Sequence, residues 1–470
     1  MNNTGWQFFQ RFSGQIVNFL VGMVLARLLV PEDYGTVAIV QVVVVFFDAF
    51  SSRGFNQALL QKHDADSLDY STVCWFNVGL NALFFLGLFI SAPWIAAFYN
   101  DPQLTLMIRI LSSQLIITGY DKIQQVYIQK QMQFKKLFLP SILGTTISAT
   151  VGLILAFSGA GAWALVVQTM VGTSVGFLTL FFTISWRPRL EFSLARLKAM
   201  SGYGVSMLLT SLAESVYNEL RSLVIGKLYS TADLAFHDKG RQIPTLVMSN
   251  VQNSVSTVFF SALTHENSRQ AMRDKVRDNL NMLFFLMAPI LMGLASVSTP
   301  MLTVLYTEKW VGASPYLVMY CLTYMTWVIQ TPALQAINAI GRADVTLKIT
   351  LGQCVLGIAL LLAMMSYGAV AVALSVLIGS VVATVVIMIV FGVMFKYSFR
   401  HFIEDIGVTT VQTCLMVLAV FFAGMITNNL IVKLLVQVTV GVIVYVGLSE
   451  MFKNKAYFAI KNTLFAKFKK

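Results

Sequence analysis

The sequence predicts an all-α polytopic membrane protein of about fourteen transmembrane helices, in two six-helix lobes related by internal duplication plus two extra C-terminal helices. Three observations predict it. Of 470 residues, 57% are hydrophobic and 11% charged, against roughly 45–50% apolar and about 25% charged in soluble domains. Apolar runs of about 20 residues, enough to cross about 30 Å of hydrocarbon, recur from end to end with short connections. Lysine and arginine concentrate in alternate connections, as in membrane chains of fixed orientation. A soluble fold is excluded, and no stretch is left for a sizeable soluble domain.

In chain order the spans are expected near 8–30, 35–52, 71–98, 104–129, 137–157, 162–185, 200–229, 242–262, 279–299, 314–339, 346–366, 369–394, 406–426 and 430–452. Met1 to Gln10 has neither a basic n-region nor a small-residue cleavage site, so the first apolar stretch is expected to remain as a span. An even number of spans puts both termini on one side. With that side cytoplasmic, its connections and tail carry 23 of the 33 Lys and Arg residues, the opposite connections hold only Lys239, Arg241 and Lys309, and seven lie within spans. The net charge of +12 therefore reflects orientation rather than a nucleic-acid partner. Trp6, Trp75, Trp94, Trp163, Trp186 and Trp310 fall near span ends, as an interfacial aromatic belt requires, and Trp327 lies mid-span. Leu190, Leu194 and Leu197 in one connection, and Ile460, Leu464 and Phe468 in the tail, pattern as helices lying in the interface.

An internal repeat organises the spans. Asn18 to Leu28 aligns with Asn218 to Leu228 at an offset of 200, Ile128-Gln129 with Leu334-Gln335 at 206, and Gly159, Ala162, Ala164 and Leu165 with Gly368, Ala371, Ala373 and Leu374 at 209. Growing offsets are what loop insertions produce. The expected organisation is an N-terminal lobe with its cytoplasmic linker (1–198), a second lobe (199–404), an extra helix pair (405–452) and a basic tail (453–470). Six spans per repeat keep both copies in one orientation, related by an axis along the membrane normal, and substrate sites in such carriers lie between the repeats. Pro244, Pro289 and Pro332 sit inside spans 8, 9 and 10, whereas the first lobe has none at comparable depth, so the second lobe is expected to be the more bent.

Ala26-Arg-Leu-Leu-Val-Pro-Glu-Asp-Tyr-Gly35, Trp75-Phe-Asn-Val-Gly-Leu80, Gln129-Lys-Gln-Met-Gln-Phe-Lys-Lys136, Gly161-Ala-Trp-Ala-Leu165 and Glu308-Lys-Trp310 occur in that order. They resemble the polysaccharide transporter family, the O-antigen and exopolysaccharide flippases of the Wzx type, near the colanic-acid-exporter branch, in the superfamily that includes the MATE exporters and the lipid II flippase. The resemblance covers most of spans 1 to 12. It implies export of an undecaprenyl-diphosphate-linked oligosaccharide from the cytoplasmic to the periplasmic leaflet of a bacterial inner membrane by alternating access. It also implies membrane lipids, and other polysaccharide-assembly proteins, as partners. One departure is the junction Asp233-Leu-Ala-Phe-His-Asp-Lys-Gly240, where relatives usually carry a Gly-Tyr-type turn.

Polar residues inside apolar spans supply the candidate site. Arg11, Gln15, Asn18 and Gly22 share one face of the first span, and Thr210, Glu214, Asn218 and Arg221 share one face of its repeat mate. Span 8 adds Gln242, Thr245, Ser249, Asn253 and Ser256, and Asp48 and Arg109 complete the charged set. An intramembrane charge costs at least about 2.5–3.5 kcal/mol unless it pairs or meets water, so a cavity satisfies this pattern; structural ion pairs and helix glue are the alternative. Arginine would match phosphate oxygens through its donor fork, amides and hydroxyls would match sugar hydroxyls, and Trp327 could stack on a sugar ring or simply pack. Glu214 is the candidate ion-coupling group. Asp121 and Lys122, near a cytoplasmic span end, read as interfacial, and Gly172 and Gly176 as a helix-packing pair.

Two other functions remain open. A MATE-like drug or cation antiporter would rely on acidic sites, which the buried arginines do not favour. A membrane polysaccharide polymerase or ligase would need a catalytic extracytoplasmic loop, and the longest, Ser230 to Arg241, is short. No enzyme motif is legible. Cys74, Cys321, Cys354 and Cys414 lie in apolar runs and read as packing residues, and the four histidines lack ligand spacing, so no metal or cofactor is expected.

Overall fold

A computed structural model describes residues 3–62, 64–264, 266 and 268–468. Within these ranges the described side chains exclude 3–13, 50–53, 203, 206, 210, 213, 214, 252–258, 260–262, 264 and 463–468. The described chain is helical and contains no strand. In order it forms α1 (Asn3–Leu28), α2 (Pro31–Arg53), α3 (Phe55–Gln61), α4 (Ser67–Tyr99), α5 (Gln103–Ser112), α6 (Gln114–Lys130), α7 (Phe138–Phe157), α8 (Ala162–Thr183) and α9 (Leu194–Leu228). There follow α10 (Thr231–Thr264), α11 (Arg269–Ser296), α12 (Ser298–Tyr306), α13 (Ser314–Ala339), α14 (Ala343–Met364), α15 (Ala369–Phe395), α16 (Phe399–Ala423), α17 (Leu430–Met451) and α18 (Lys455–Phe468).

Among the described residues nine helices, α4, α7, α8, α11 and α13 to α17, are long and apolar enough to cross a membrane. The chain is therefore a multi-pass membrane protein, though this criterion does not reach the expected fourteen spans. The other expected spans fall on α1, α2, α5 with α6, α9 and α10. These hold the intramembrane charges and amides that lower apolarity, and four of them contain side chains outside the described set.

The chain divides into two compact units, 1–235 and 236–470. The repeat boundary read at 198/199 follows sequence similarity, whereas this one follows packing. Helix α9 packs along α2, where Gly226 brings its backbone within 3.3 Å, measured from an added Cβ, of the Ile39 side chain.

The duplication is visible in how two helices begin. After α1 the Asp33 carboxylate accepts from the Val30 backbone N–H at 3.3 Å; after α9 the Asp233 carboxylate accepts from the Ser230 N–H at 3.3 Å. Both lie three residues past the cap, satisfying a donor that a helix start otherwise leaves orphaned. The junction that departs from the family's Gly-Tyr turn thus starts its helix as its repeat mate does, and Ser230 to Arg241 is mostly the first turns of α10 rather than a loop. Farther along, α8 and α15 start after glycines at positive φ, Gly161 (56°) and Gly368 (113°). The structural partner of Gly368 is therefore Gly161, two residues from the Gly159 that the sequence alignment paired with it.

In unit 1, α7 and α8 meet through small residues. A Cβ on Gly144 would stand 3.1 Å from the Gly172 carbonyl and 3.3 Å from Gly176 Cα, so the Gly172–Gly176 pair is a helix contact as expected. In unit 2, α11, α13 and α15 enclose a core that includes Phe391, stacked on Phe395 at 4.5 Å. The α16–α17 pair docks on α11, where Tyr445 donates to the Phe285 carbonyl at 2.7 Å. Pro244, Pro289 and Pro332 lie inside α10, α11 and α13, and Pro93 lies inside α4, near its end.

Several expectations change. Leu190 is 90% exposed on a non-helical strap, while Leu197 is buried against the Phe55–Tyr70–Ile123 cluster, so this connection is not a separate interface helix. The tail does form α18; Leu464 and Phe468 lie outside the described side chains. Trp310 is fully buried, edge-on to Phe236 and Tyr306, rather than in a belt. Cys74 and Cys321 are buried, but Cys354 is half-buried and Cys414 exposed, so only two of the four are core residues.

Candidate functional site

Unit 1 contains a polar cavity of about 650 Å³ between α1, α6, α7 and α8. Each wall is a polar stripe on an apolar helix: Thr118, Asp121, Lys122 and Gln125 on α6; Ser141, Thr145 and Ser148 on α7; Gln168, Thr169 and Thr173 on α8; and Asn18 on α1. Spacings of three and four residues put each set on one helix face. Asp121 lies nine residues before the end of α6, about 14 Å along the axis, close to mid-depth of an about 30 Å core. Asp121 and Lys122 are thus cavity residues rather than interfacial ones.

Charge placement inside the cavity is asymmetric. The Asp121 carboxylate accepts a 2.6 Å hydrogen bond from Gln125 Nε2. Lys122 makes no hydrogen bond or ion pair with any described residue. Hydroxyls of Thr118, Ser148 and Thr169 donate to carbonyls of their own helices at 3.1, 3.0 and 2.9 Å, leaving their lone pairs for a ligand. The α7–α8 glycines contribute floor without filling the space.

The end of unit 1 that carries the basic connections is locked electrostatically. Asp69, fully buried, pairs with Lys62 at 2.6 Å and with Arg196 at 3.5 Å, and Arg196 also pairs with Asp66 at 3.2 Å. Asp66 and Asp69 cap α4 reciprocally; the Asp69 N–H, with Arg196 and Lys62, holds the Asp66 carboxyl below the usual aspartate range. The strap before α9 is tied to α4 by Trp75 Nε1 to the Arg189 carbonyl (2.6 Å), the Arg189 N–H to Ser71 Oγ (3.0 Å) and the Ser193 N–H to Thr72 Oγ1 (3.2 Å). Trp186 stacks on Tyr127 at 5.3 Å beside Tyr70. In unit 2 a second cavity of about 360 Å³, almost wholly apolar, lies between α11, α16 and α17.

Of the residues expected to form the site, only Asn18 lines the cavity of unit 1. Gln15 and Asp48 are half-buried on α1 and α2, and Asn218 is exposed on α9. Arg109 lies against α4, donating to the Phe89 carbonyl at 3.2 Å with its guanidinium 4.6 Å from the Phe89 ring centre. Arg221, 4% exposed, folds back on its own helix, donating to the Tyr217 carbonyl at 2.7 Å and covering the Tyr217 ring. Trp327 is half-buried in unit 2, edge-on to Tyr324 at 5.0 Å. The side chains of Arg11, Glu214 and Asn253 lie outside the described residues. What the sequence reading missed is the α6–α7–α8 lining, although the same face-counting applied to α1 and α9 would have found it. Ser and Thr, mildly polar and common in membrane helices, gave a weaker signal than Arg and Glu.

Residues 24–315 match the family described as polysaccharide biosynthesis protein. The chain is similar to the succinoglycan biosynthesis transport protein ExoT of Rhizobium meliloti (strain 1021), 25% identical over 68% of this chain and 65% of that protein. It is similar to the teichuronic acid biosynthesis protein TuaB of Bacillus subtilis (strain 168), 28% identical over 64% and 63%. The lipopolysaccharide biosynthesis protein WzxC of Escherichia coli (strain K12) matches at 22% over 76% and 73%. The chain spans just under two thirds of the length of the first two relatives. Among solved structures it resembles the lipid II flippase MurJ in its inward closed conformation, with TM-score 0.79 and 16% identity over 95% of this chain and 98% of that one. An inward-facing multidrug MATE transporter matches with TM-score 0.62 and 14% identity over 82% and 94%. At these identities the structural likeness is one of fold.

Proposed function

The chain belongs to the polysaccharide biosynthesis protein family, and from that premise we propose that it is a flippase for undecaprenyl-diphosphate-linked oligosaccharide repeat units. It carries them from the cytoplasmic to the periplasmic leaflet of a bacterial inner membrane by alternating access, for O-antigen, capsule or exopolysaccharide assembly. Relatives named for succinoglycan transport and for teichuronic acid and lipopolysaccharide biosynthesis support the cargo class. The observation that carries the reading is the cavity of unit 1, a hydroxyl- and amide-lined space of about 650 Å³ inside helices otherwise built to exclude water. Such a lining is costly in hydrocarbon and is matched by a polyhydroxylated cargo. In this reading Arg11, Arg109 and Arg221 serve the diphosphate, and both termini are cytoplasmic.

A diphosphate diester carries about two negative charges, and each is worth about 2.3 kcal/mol per 100 mV. An inside-negative potential therefore favours export by up to about 5 kcal/mol, while charges fixed on the carrier cancel over a full cycle. Membrane potential is the main driver in this proposal, and Glu214 tunes the return step. In liposomes bearing a fluorescent undecaprenyl-diphosphate oligosaccharide, the purified protein is expected to flip the lipid at a rate set by a potassium–valinomycin potential at zero pH gradient. Absence of flipping by folded protein overturns the function. A rate that ignores the potential, follows a proton gradient and loses that response in Glu214→Gln makes the carrier a proton antiporter.

A further inference from the structure

We infer that the cavity of unit 1 recognises a carboxylate-bearing sugar of the cargo, with Lys122 pairing the sugar carboxylate; this rests on the flippase reading and narrows its substrate class. Lys122 is a cation on the wall of a membrane-embedded cavity with no partner among the described residues. Such a charge is stable only beside water or a counter-ion. Its neighbour does not serve, because Asp121 takes its hydrogen bond from Gln125.

The rest of the lining distinguishes a sugar from a diphosphate. Asp121 is acceptor-only, and the hydroxyls of Thr118, Ser148 and Thr169 have spent their protons on helix carbonyls. This wall accepts hydrogen bonds, so it suits the O–H donors of a sugar ring and repels phosphate oxygens, which can only accept. The two cavity charges, Asp121 and Lys122, cancel, leaving nothing to neutralise the about two charges of a diphosphate, whereas a single carboxylate pairs with the single ammonium. Lysine, a point charge, fits that role, while the guanidinium fork is the better match for phosphate. A volume of about 650 Å³ lies in the roughly 300–1,000 Å³ range of small-molecule sites.

The test compares two fluorescent undecaprenyl-diphosphate trisaccharides, identical except that one carries a glucuronate where the other carries glucose, in liposomes containing the full chain. Wild type is expected to flip the glucuronate lipid at least tenfold faster. Lys122→Gln should lower the glucuronate rate at least tenfold more than the glucose rate, and Lys122→Arg should keep most of the preference. In detergent, the free glucuronate trisaccharide should bind wild type and Lys122→Arg, but Lys122→Gln at least tenfold more weakly, each protein first shown to unfold at the wild-type midpoint. Equal flipping of both lipids by wild type overturns the inference and leaves the flippase reading standing. So does an equal slowing of both in Lys122→Gln, which would assign Lys122 to the shared diphosphate or to the fold. If folded wild type flips neither lipid, the flippase reading falls and the inference with it.

Discussion

Asp69 shows at the residue scale how this chain tolerates a buried charge. Its carboxylate is fully buried, yet it is reached by Lys62 from the α3–α4 connection, by Arg196 from α9 and by backbone N–H groups at the start of α4. Removing one partner of a fully buried pair costs about 3–5 kcal/mol. Here Lys62 and Arg196 are 28% and 41% exposed, and solvent screening lowers the expectation for Asp69→Asn to on the order of 2 kcal/mol. Trp75 and Trp186 sit on the elements this lock holds, so tryptophan fluorescence in detergent should report a lower thermal midpoint for Asp69→Asn. An unchanged midpoint would mean that the lock is ornamental. The lock also explains why Lys and Arg counts in the connections were informative: several of these charges have fixed partners in addition to setting orientation.

At the scale of elements, packing turns on where a helix can do without side chains. Gly144 of α7 faces the backbone of α8, with the Gly172 carbonyl 3.1 Å from an added Cβ, whereas an added Cβ on Gly22 of α1 meets nothing within 4 Å. Overpacking costs about 1–3 kcal/mol, and replacing a helical glycine with alanine returns up to about 1 kcal/mol. Gly144→Ala is therefore expected to lower the thermal midpoint and Gly22→Ala to leave it unchanged or raise it. The reverse order in a scanning unfolding measurement would show that α7 and α8 separate more easily than their close approach implies. The small-residue spacing in α8 was legible in advance, but its partner on α7 was not, because a spacing marks a face without identifying what covers it.

For the whole molecule the decisive quantity is orientation. Of the 33 basic residues, 23 fall on one side by alternation and three on the other, a bias that translocation reads. Positions 135, 196, 273 and 453 are expected to face the cytoplasm, and 33, 161 and 428 the periplasm. Single cysteines at these positions, in a background lacking Cys74, Cys321, Cys354 and Cys414, can be probed with an impermeant thiol reagent. Labelling of position 273 from outside intact cells would invert or break the topology. The alternation also fixes which end of unit 1 holds the Asp66–Asp69–Arg196 lock, so the same labelling places that lock on the cytoplasmic side.

By itself the sequence determined the class of the molecule, its duplication and its partition between membrane and water. Span length, charge bias and repeat offset are one-dimensional quantities, and hydrocarbon thickness converts them directly into helices. It also marked the paired helix starts, since Asp33 and Asp233 act on donors three residues away. Only the tertiary structure decided which polar stripes share a cavity. Asn18, Lys122, Thr145 and Gln168 come from four helices, and whether their faces converge depends on how each helix is rotated against its neighbours. That rotation is set by contacts such as Gly144 against Gly172, not by the periodicity of any one helix. For the same reason Arg109 and Arg221, which looked alike as lone charges in apolar runs, were distinguished only by their surroundings: one lies on Phe89 of a neighbouring helix and the other on Tyr217 of its own.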